Sequence, residues 1–388
     1  MGIMPQQQGK TSLLEKKMLF AKIAKLESLP LPSYSILELS TLLKQEEVEV
    51  ESIVNCISHD HVMLALLFRD FYKLFPGEDP GTLQQTVERI PPESLKNLVS
   101  IPRMLEQFGS SEEQEWNHSY SCRLLMENIL TENGIDCPDL IRTAHFHDIG
   151  RNVLRDWSPK KYKMVESHAR SSNQVPVYKL ESAVLSTHHG EVGAELLKAW
   201  GFPDLIWQVV AVHHDDQFED DFPYAFEAAL LQLVNWIDCR ARGIECEPPS
   251  KRVLQRAGIE DVDTDAYIER QKRLIAELRA SNMGSIRKNA MNDMIAAEHD
   301  VITTDPEVVA EDGEPVEPGE NAAPQPPAAP AEEEEKESDF DPDSYQFTTI
   351  PGAMAQRELP TTSRRYKFLR NETKGIEPGA IQNIGSCV

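Results

Sequence analysis

Wherever this chain is apolar, its apolar residues return every three or four positions, and no stretch of convincing length alternates with the period of two that a strand needs. Leu19, Ile23 and Leu26 keep helical spacing, as do Ile36, Leu39 and Leu43, then Val50, Ile53 and Ile57, then Leu64 and Leu67. The reading is an all-α fold. Ser12-Leu13-Leu14-Glu15 has the form of a capping box opening the first helix, and Leu29-Pro30-Leu31-Pro32 closes it. Three short helices are expected between Ser35 and Leu74. Another opens at Gly81 to Leu83, and Pro91-Pro92 separates it from the run through Leu95, Leu98 and Val99.

The second half carries the same period with stronger punctuation. From Trp116, residues His118, Cys122, Leu125 and Ile129 fall on one face, and Asn133-Gly134 ends that helix. Asp136 is placed to cap the next one, in which Leu140, Ala144 and His147 share a face. A helix from Glu191 to Trp200 is stopped by Gly201 and Pro203. The following one, from Asp204, aligns Ile206, Val210 and His213, with His214 beside them. Around Leu230 to Cys239, Leu231, Val234 and Asp238 recur at i, i+3 and i+7. Polar groups therefore fall repeatedly on inward faces.

With 388 residues and 40% hydrophobic content, the chain is long enough for one large core or two smaller ones. The expected organisation is an N-terminal helix and linker over residues 1–28, a helical domain over 29–221, a helical extension over 222–288, and a tail over 289–388. From Asp293 to Asp343 there are 18 acidic residues against the single Lys336, so this segment carries −17 of the formal −25. It is rich in Pro, Ala and Glu, and has too little apolar surface to offset an ordering cost of about 1–2 kcal/mol per residue. Disorder is the expectation. Within the tail, residues 361–374 form a basic and aromatic island with Arg364, Arg365, Tyr366, Lys367, Phe368 and Arg370.

The remaining −8 is an ordinary acidic surface and argues against nucleic-acid binding, whose affinity comes largely from clustered Lys and Arg. The six cysteines are dispersed without a CxxC pair, which suits a reducing compartment. A polar start and the lack of any run near the ~18 apolar residues of a membrane span make the cytoplasm the expected location, with no membrane association.

Taken singly, each inward histidine is explained as a hydrogen-bonded core residue. The set asks for more. Burying an unpaired carboxylate costs on the order of several kcal/mol, so Asp148 and Asp238 need donors or a cation. Neutral imidazoles with carboxylates are ligands for a divalent metal such as Mn, Fe, Zn or Mg, and such a metal can activate water toward a phosphate ester.

In order along the chain, His118, His147-Asp148-Ile149-Gly150, His189-Gly190-Glu191-Val192-Gly193, His213-His214 and Asp238 resemble the HD superfamily of helical metal-dependent phosphohydrolases. With Leu29-Pro30, Trp116-Asn117-His118-Ser119, Glu181 and Trp200-Gly201-Phe202-Pro203 included, the chain looks like the HD-related output domain, the HDOD family, from about Ser28 to Asp221. The match is weaker in the N-terminal helices, where Asp60-His61 stands for the usual Asp-Pro and Ile90-Pro91 for a Leu-Gly element.

This resemblance implies a bacterial signalling protein whose domain serves as a regulatory or protein-interaction output module, with a protein partner and more in common with a binding module than an enzyme. Position by position it implies metal ligands at His118, His147, Asp148 and Asp238, and the extra ligands of dinuclear relatives at His189, His213 and His214. The alternative is a metal-dependent phosphohydrolase acting on a nucleotide or other phosphate ester, with Arg151 and Arg155 as candidates to hold the phosphate. The Gly-Tyr-Pro element of the cyclic-dinucleotide phosphodiesterases is absent. In its place Asp215-Asp216-Gln217-Phe218-Glu219-Asp220-Asp221 crowds negative charge where an anionic substrate would enter.

Overall fold

The computed structural model describes residues 5–45, 47–102, 104–105, 110–171, 175–219, 221–244, 246–258 and 263–280. The acidic tail and its basic-aromatic island lie outside the described residues. The chain is all-α: sixteen helices among the described residues, with one minimal strand pair.

Helix α1 (Pro5–Ile23) already runs through Ser12 to Glu15, so that tetrapeptide lies inside a helix and does not open one. Next come β1 (Leu31–Pro32), α2 (Ser33–Leu43), α3 (Val50–Ser58) and α4 (His61–Leu74). Asp60 starts α4, its Oδ1 accepting from Val62 N at 3.0 Å and Met63 N at 2.9 Å. Helix α5 (Leu83–Arg89) opens on a capping box between Thr82 and Gln85. Proline at the first position starts α6 (Pro92–Ser100), and β2 (Met104–Leu105) then pairs in parallel with β1.

The long α7 (Ser110–Glu132) ends before Gly134, whose φ of +64° reverses the chain. Helix α8 (Pro138–Phe146) begins at Cys137 with proline at its first position and no side-chain cap, so Asp136 does not have the capping role its sequence position indicated. Four further helices follow: α9 (Gly150–Trp157), α10 (Pro159–Ser171), α11 (Val177–Leu185) and α12 (His189–Ala199). Helices α13 (Asp204–Val212), α14 (Ala225–Ala241), α15 (Lys251–Ala257) and α16 (Thr264–Ala280) complete the described chain. No helix among them is long and apolar enough to cross a membrane.

The apolar faces meet in two cores. One joins the N-terminal helices to α9–α13 through Ile57, Met63, Leu67, Phe71, Phe146, Ile149, Leu197 and Ile206. The other joins α7, α8, α14 and α15 through Leu125, Ile129, Leu140, Ala144, Leu231 and Val234. Helix α8 belongs to both, since Ala144 lies in the second core and Phe146 in the first. The His147-Asp148 turn falls at this seam. Polar side chains can be buried there because several helix ends converge and bring donors and acceptors with them.

Candidate metal centre

His147 caps the C-terminal end of α8, and Asp148 follows in the three-residue turn to α9. Gly150 makes the turn possible. A Cβ on it would lie 2.0 Å from the His189 carbonyl oxygen and 2.7 Å from Gly193 N, so α9 and α12 meet backbone to backbone. That approach sets Asp148 against the first residue of α12, with Asp148 Oδ1 3.0 Å from His189 Nε2. His213 and His214 arrive from the end of α13.

The hydrogen bonds of these rings leave their Nε2 atoms facing inward. His147 Nδ1 donates to Ala144 O at 2.9 Å, His213 Nδ1 to Val210 O at 2.6 Å, His118 Nδ1 to Asp238 Oδ2 at 2.6 Å and His189 Nδ1 to Glu181 Oε2 at 2.6 Å. A ring that donates through Nδ1 presents Nε2 as its metal-binding nitrogen. The Nε2 atoms converge on Asp148: Oδ1 lies 3.6 Å from His147 and 3.9 Å from His213, and Oδ2 lies 3.9 Å from His118. His214 Nε2 sits 2.8 Å from His189 Nε2, its ring stacked on Tyr178.

Two sets of ligand atoms result, each within 4.8 Å: Asp148, His189, His213 and His214 in one, and His118, Cys122 and His147 in the other. Neither oxygen of Asp148 makes a well-aligned hydrogen bond, and the buried His213 Nε2 makes none. His118 and His147 bring Nε2 to within 3.2 Å of Nε2. Imidazole nitrogens that converge at such distances beside a carboxylate make a donor set that fits a divalent cation, which would compete there with Arg151 and the His189 proton for Asp148.

Asp238 has a different position from the other candidate ligands. It is fully buried and surrounded by donors: His118 Nδ1 and Arg242 Nε, the latter at 2.5 Å, on Oδ2, with Ser121 Oγ and Gln271 Nε2, both at 2.6 Å, on Oδ1. Here it stands behind His118 and fixes that ring, as outer carboxylates do for metal-bound imidazoles. Glu181 does the same for His189, also accepting from His189 N at 2.9 Å and from Tyr162 OH at 3.1 Å.

Charge follows from this packing. Burial disfavours the ionised form of Asp148, but Arg151, His147 and His189 outweigh it and hold the carboxyl well below the usual range. Burial lowers His147 to about 4 and His213 well below its ordinary value, so both rings are neutral at pH 7. Burial would lower His189 too, but the carboxylates of Glu181 and Asp148 prevail and raise it to about 9.

The metal-free site therefore stores a proton where a cation needs a lone pair. This raised pKa favours folding of the metal-free chain fully below about pH 6.5, and the contribution disappears as pH rises through 9. Cation binding near pH 7 is expected to release about one proton and to tighten about tenfold per pH unit up to pH 9. Calorimetric titration with Mn in buffers of different ionisation enthalpy would read this directly, and binding without proton release would contradict it.

Arg151 and Arg155, the candidate phosphate holders, are engaged elsewhere. Arg151 Nη2 lies 3.3 Å from Asp148 Oδ2 and its Nη1 3.6 Å from Glu115, while Arg155 bridges Glu115 and Glu166, both at 2.9 Å. Burial raises Glu115 and these two arginines oppose it. Beyond His214, Asp215, Asp216, Glu219 and Asp221 are exposed. The roles of Glu115, Glu181, Ser121, Arg242 and Gln271 were not assigned from sequence. Glu181 left a trace, a carboxylate beside Leu180 on the apolar face of α11. Arg242 stands one helical turn after Asp238, whereas Glu115, Ser121 and Gln271 become connected through contacts 33 to 150 residues apart.

Fold and site together define a helical His/Asp domain with the equipment of a metal centre. Residues 29–216 match the HDOD domain family. An uncharacterized protein of Treponema pallidum (strain Nichols) is 23% identical over 250 residues, 61% of this chain and 46% of the relative, so the match spans about half of that protein's length. Among solved structures, the MmoQ response regulator of Methylococcus capsulatus str. Bath aligns over 62% of this chain and 98% of its own, at 20% identity and a TM-score of 0.47. An HDOD domain protein of unknown function from Geobacter sulfurreducens aligns over 70% and 95%, at 17% identity and a TM-score of 0.37.

Proposed function

We propose that this protein is a cytoplasmic bacterial signal-transduction protein, in which the HDOD domain is a regulatory module that binds a partner protein and holds a divalent cation in its His/Asp cluster. The match to an output-domain family supports the signalling role. The observation that carries the choice of regulator over enzyme is the engagement of Arg151 and Arg155 by Asp148, Glu115 and Glu166, which leaves the basic residues nearest the cluster committed to carboxylates. The exposed acids after His214 add to the cost of bringing in an anionic ester.

In this reading His118, His147, Asp148, His189, His213 and His214 hold the cation, while Asp238 and Glu181 orient His118 and His189. The bound cation ties the ends of α8, α12 and α13 to α7, so its contribution is a fixed helical surface. A metal-dependent phosphohydrolase is the second reading, favoured by the completeness of the donor set, since the same cation would supply an activated water.

The two separate in one experiment. The full chain, purified without chelator, is expected to retain transition metal and to show no turnover of phosphomonoesters or diesters with added Mn or Mg. The His147→Ala, Asp148→Ala double variant should lose the metal. Metal-dependent turnover that disappears in the variant would replace the regulator with the enzyme.

A further inference from the structure

One face of this acidic chain is basic. Helix α1 from Leu14 to Ile23 and helix α10 together hold seven basic side chains against two acidic ones, in a chain whose formal charge is −25. Three of the lysines fasten α1 in place. Lys161 Nζ of α10 lies 2.9 Å from Glu15 Oε2, Lys22 Nζ lies 3.8 Å from Asp156 Oδ2 in the last turn of α9, and Lys16 Nζ lies 2.6 Å from Glu191 Oε2 on α12.

Each helix also buries one stripe in the first core, Leu19 and Ile23 on α1, Tyr162 and Val165 on α10. The stripe left outward on α1 is Leu14, Lys17, Met18 and Ala21, and on α10 it is Lys160, Lys163, Met164, Ser167 and Arg170. Both follow the i, i+3, i+4 spacing of a single helix side, and both border the Glu15–Lys161 seam from the solvent side.

Two kinds of group coincide on this face. Of the six large apolar side chains left exposed among the described residues, three belong to it: Leu14 at 58%, Met18 at 55% and Met164 at 39%. Around them, Lys17, Lys160, Lys163 and Arg170 are exposed and make no ion pair with a described residue. Either feature alone is ordinary on a protein surface; together they form an apolar patch rimmed by uncompensated positive charge.

We propose that the α1–α10 face is the docking surface for the partner protein, and that it takes an acidic segment carrying apolar side chains. Charge complementarity selects the acid, and the leucine and methionines select the apolar groups between. An anionic bilayer fits less well, because the larger apolar stripe of α1 is already in the core, no aromatic side chain is among the three exposed ones, and the net negative chain would be repelled. Nucleic acid would leave the apolar side chains unmatched and meet few cations. The inference rests on the regulator reading above for the existence of a partner and does not depend on the cation.

The test measures fluorescence anisotropy of the full chain with a labelled amphipathic peptide that has Glu and Leu at helical spacing. Saturable binding is expected, weakened about tenfold by the Lys17→Glu, Lys163→Glu pair and about tenfold by the Met18→Ser, Met164→Ser pair. Lys44→Glu with Lys73→Glu, exposed on other helices, should bind as wild type. Circular dichroism checks folding, and the serine pair carries the test if charge reversal unfolds the chain. Equal binding by all three variants would overturn the surface, and a polyglutamate peptide binding as tightly would overturn its apolar part. Tighter binding to phosphatidylglycerol vesicles or to a single-stranded oligonucleotide would overturn the acidic protein segment in favour of that partner. Self-association in sedimentation that disappears in the Lys17, Lys163 variant would assign the face to a second copy and overturn the proposal likewise. A chain that binds no peptide yet retains metal without phosphoester turnover has lost this surface and kept the regulator reading; metal-dependent turnover with peptide binding intact has the reverse meaning.

Discussion

Asp238→Ala is expected to destabilise the protein by about 3–5 kcal/mol and to leave His118, a proposed metal ligand, without the carboxylate that orients it. The cost comes from what remains behind. Arg242, whose side chain is only 10% exposed, would keep its charge without the carboxylate it was buried against, and breaking a buried pair from one side is costlier than the pair is stabilising. His118 Nδ1, Gln271 Nε2 and Ser121 Oγ would each lose an acceptor as well.

Asp238→Asn should recover little, although it preserves volume. Donors approach both oxygens, so whichever way the amide is turned its NH2 meets groups that also donate. Urea denaturation with bound-metal analysis would check the pair of variants. A near-wild-type asparagine variant would show that the site needs the shape of this side chain and not its charge.

Gly150→Ala is expected to destabilise by about 3 kcal/mol, at the upper end of the usual range for overpacking. The added methyl would stand 2.0 Å from the His189 carbonyl oxygen and 2.7 Å from Gly193 N, and backbone atoms cannot rotate aside. Relief requires α9 and α12 to separate, which breaks the 3.0 Å contact of Asp148 with His189. Alanine's better helix propensity returns at most about 1 kcal/mol, so the clash decides the sign. Gly193→Ala, whose nearest contact would be 3.1 Å, is the milder control. Equal effects at the two positions, read as thermal midpoints, would contradict this account of the helix contact.

Helix class and the inward placement of His118, His147, His213 and Asp238 were legible in the sequence because both follow from a period of 3.6. That period is a local property, carried by neighbours such as Leu140, Ala144 and His147. Gly134 and Pro203 marked helix boundaries for the same reason. Asp136 and Ser12 misled, because a capping side chain is decided by where the helix starts, and Pro5 and Pro138 begin α1 and α8 at other points.

What only the tertiary structure decided is how the inward groups divide the work. Sequence placed Asp148 and Asp238 alike, as inward carboxylates that need donors or a cation. Packing separated them: Asp148 is left with two under-coordinated oxygens amid imidazoles, whereas Asp238 is saturated by donors from α7, α14 and α16. The same holds for Arg151 and Arg155, which read as available cations until Glu115 reaches them from α7. Periodicity tells a side chain which way to face. Whether it meets a donor, an acceptor or a lone pair depends on helices that touch across roughly thirty to more than a hundred residues, and that pairing is set by the packing of the two cores.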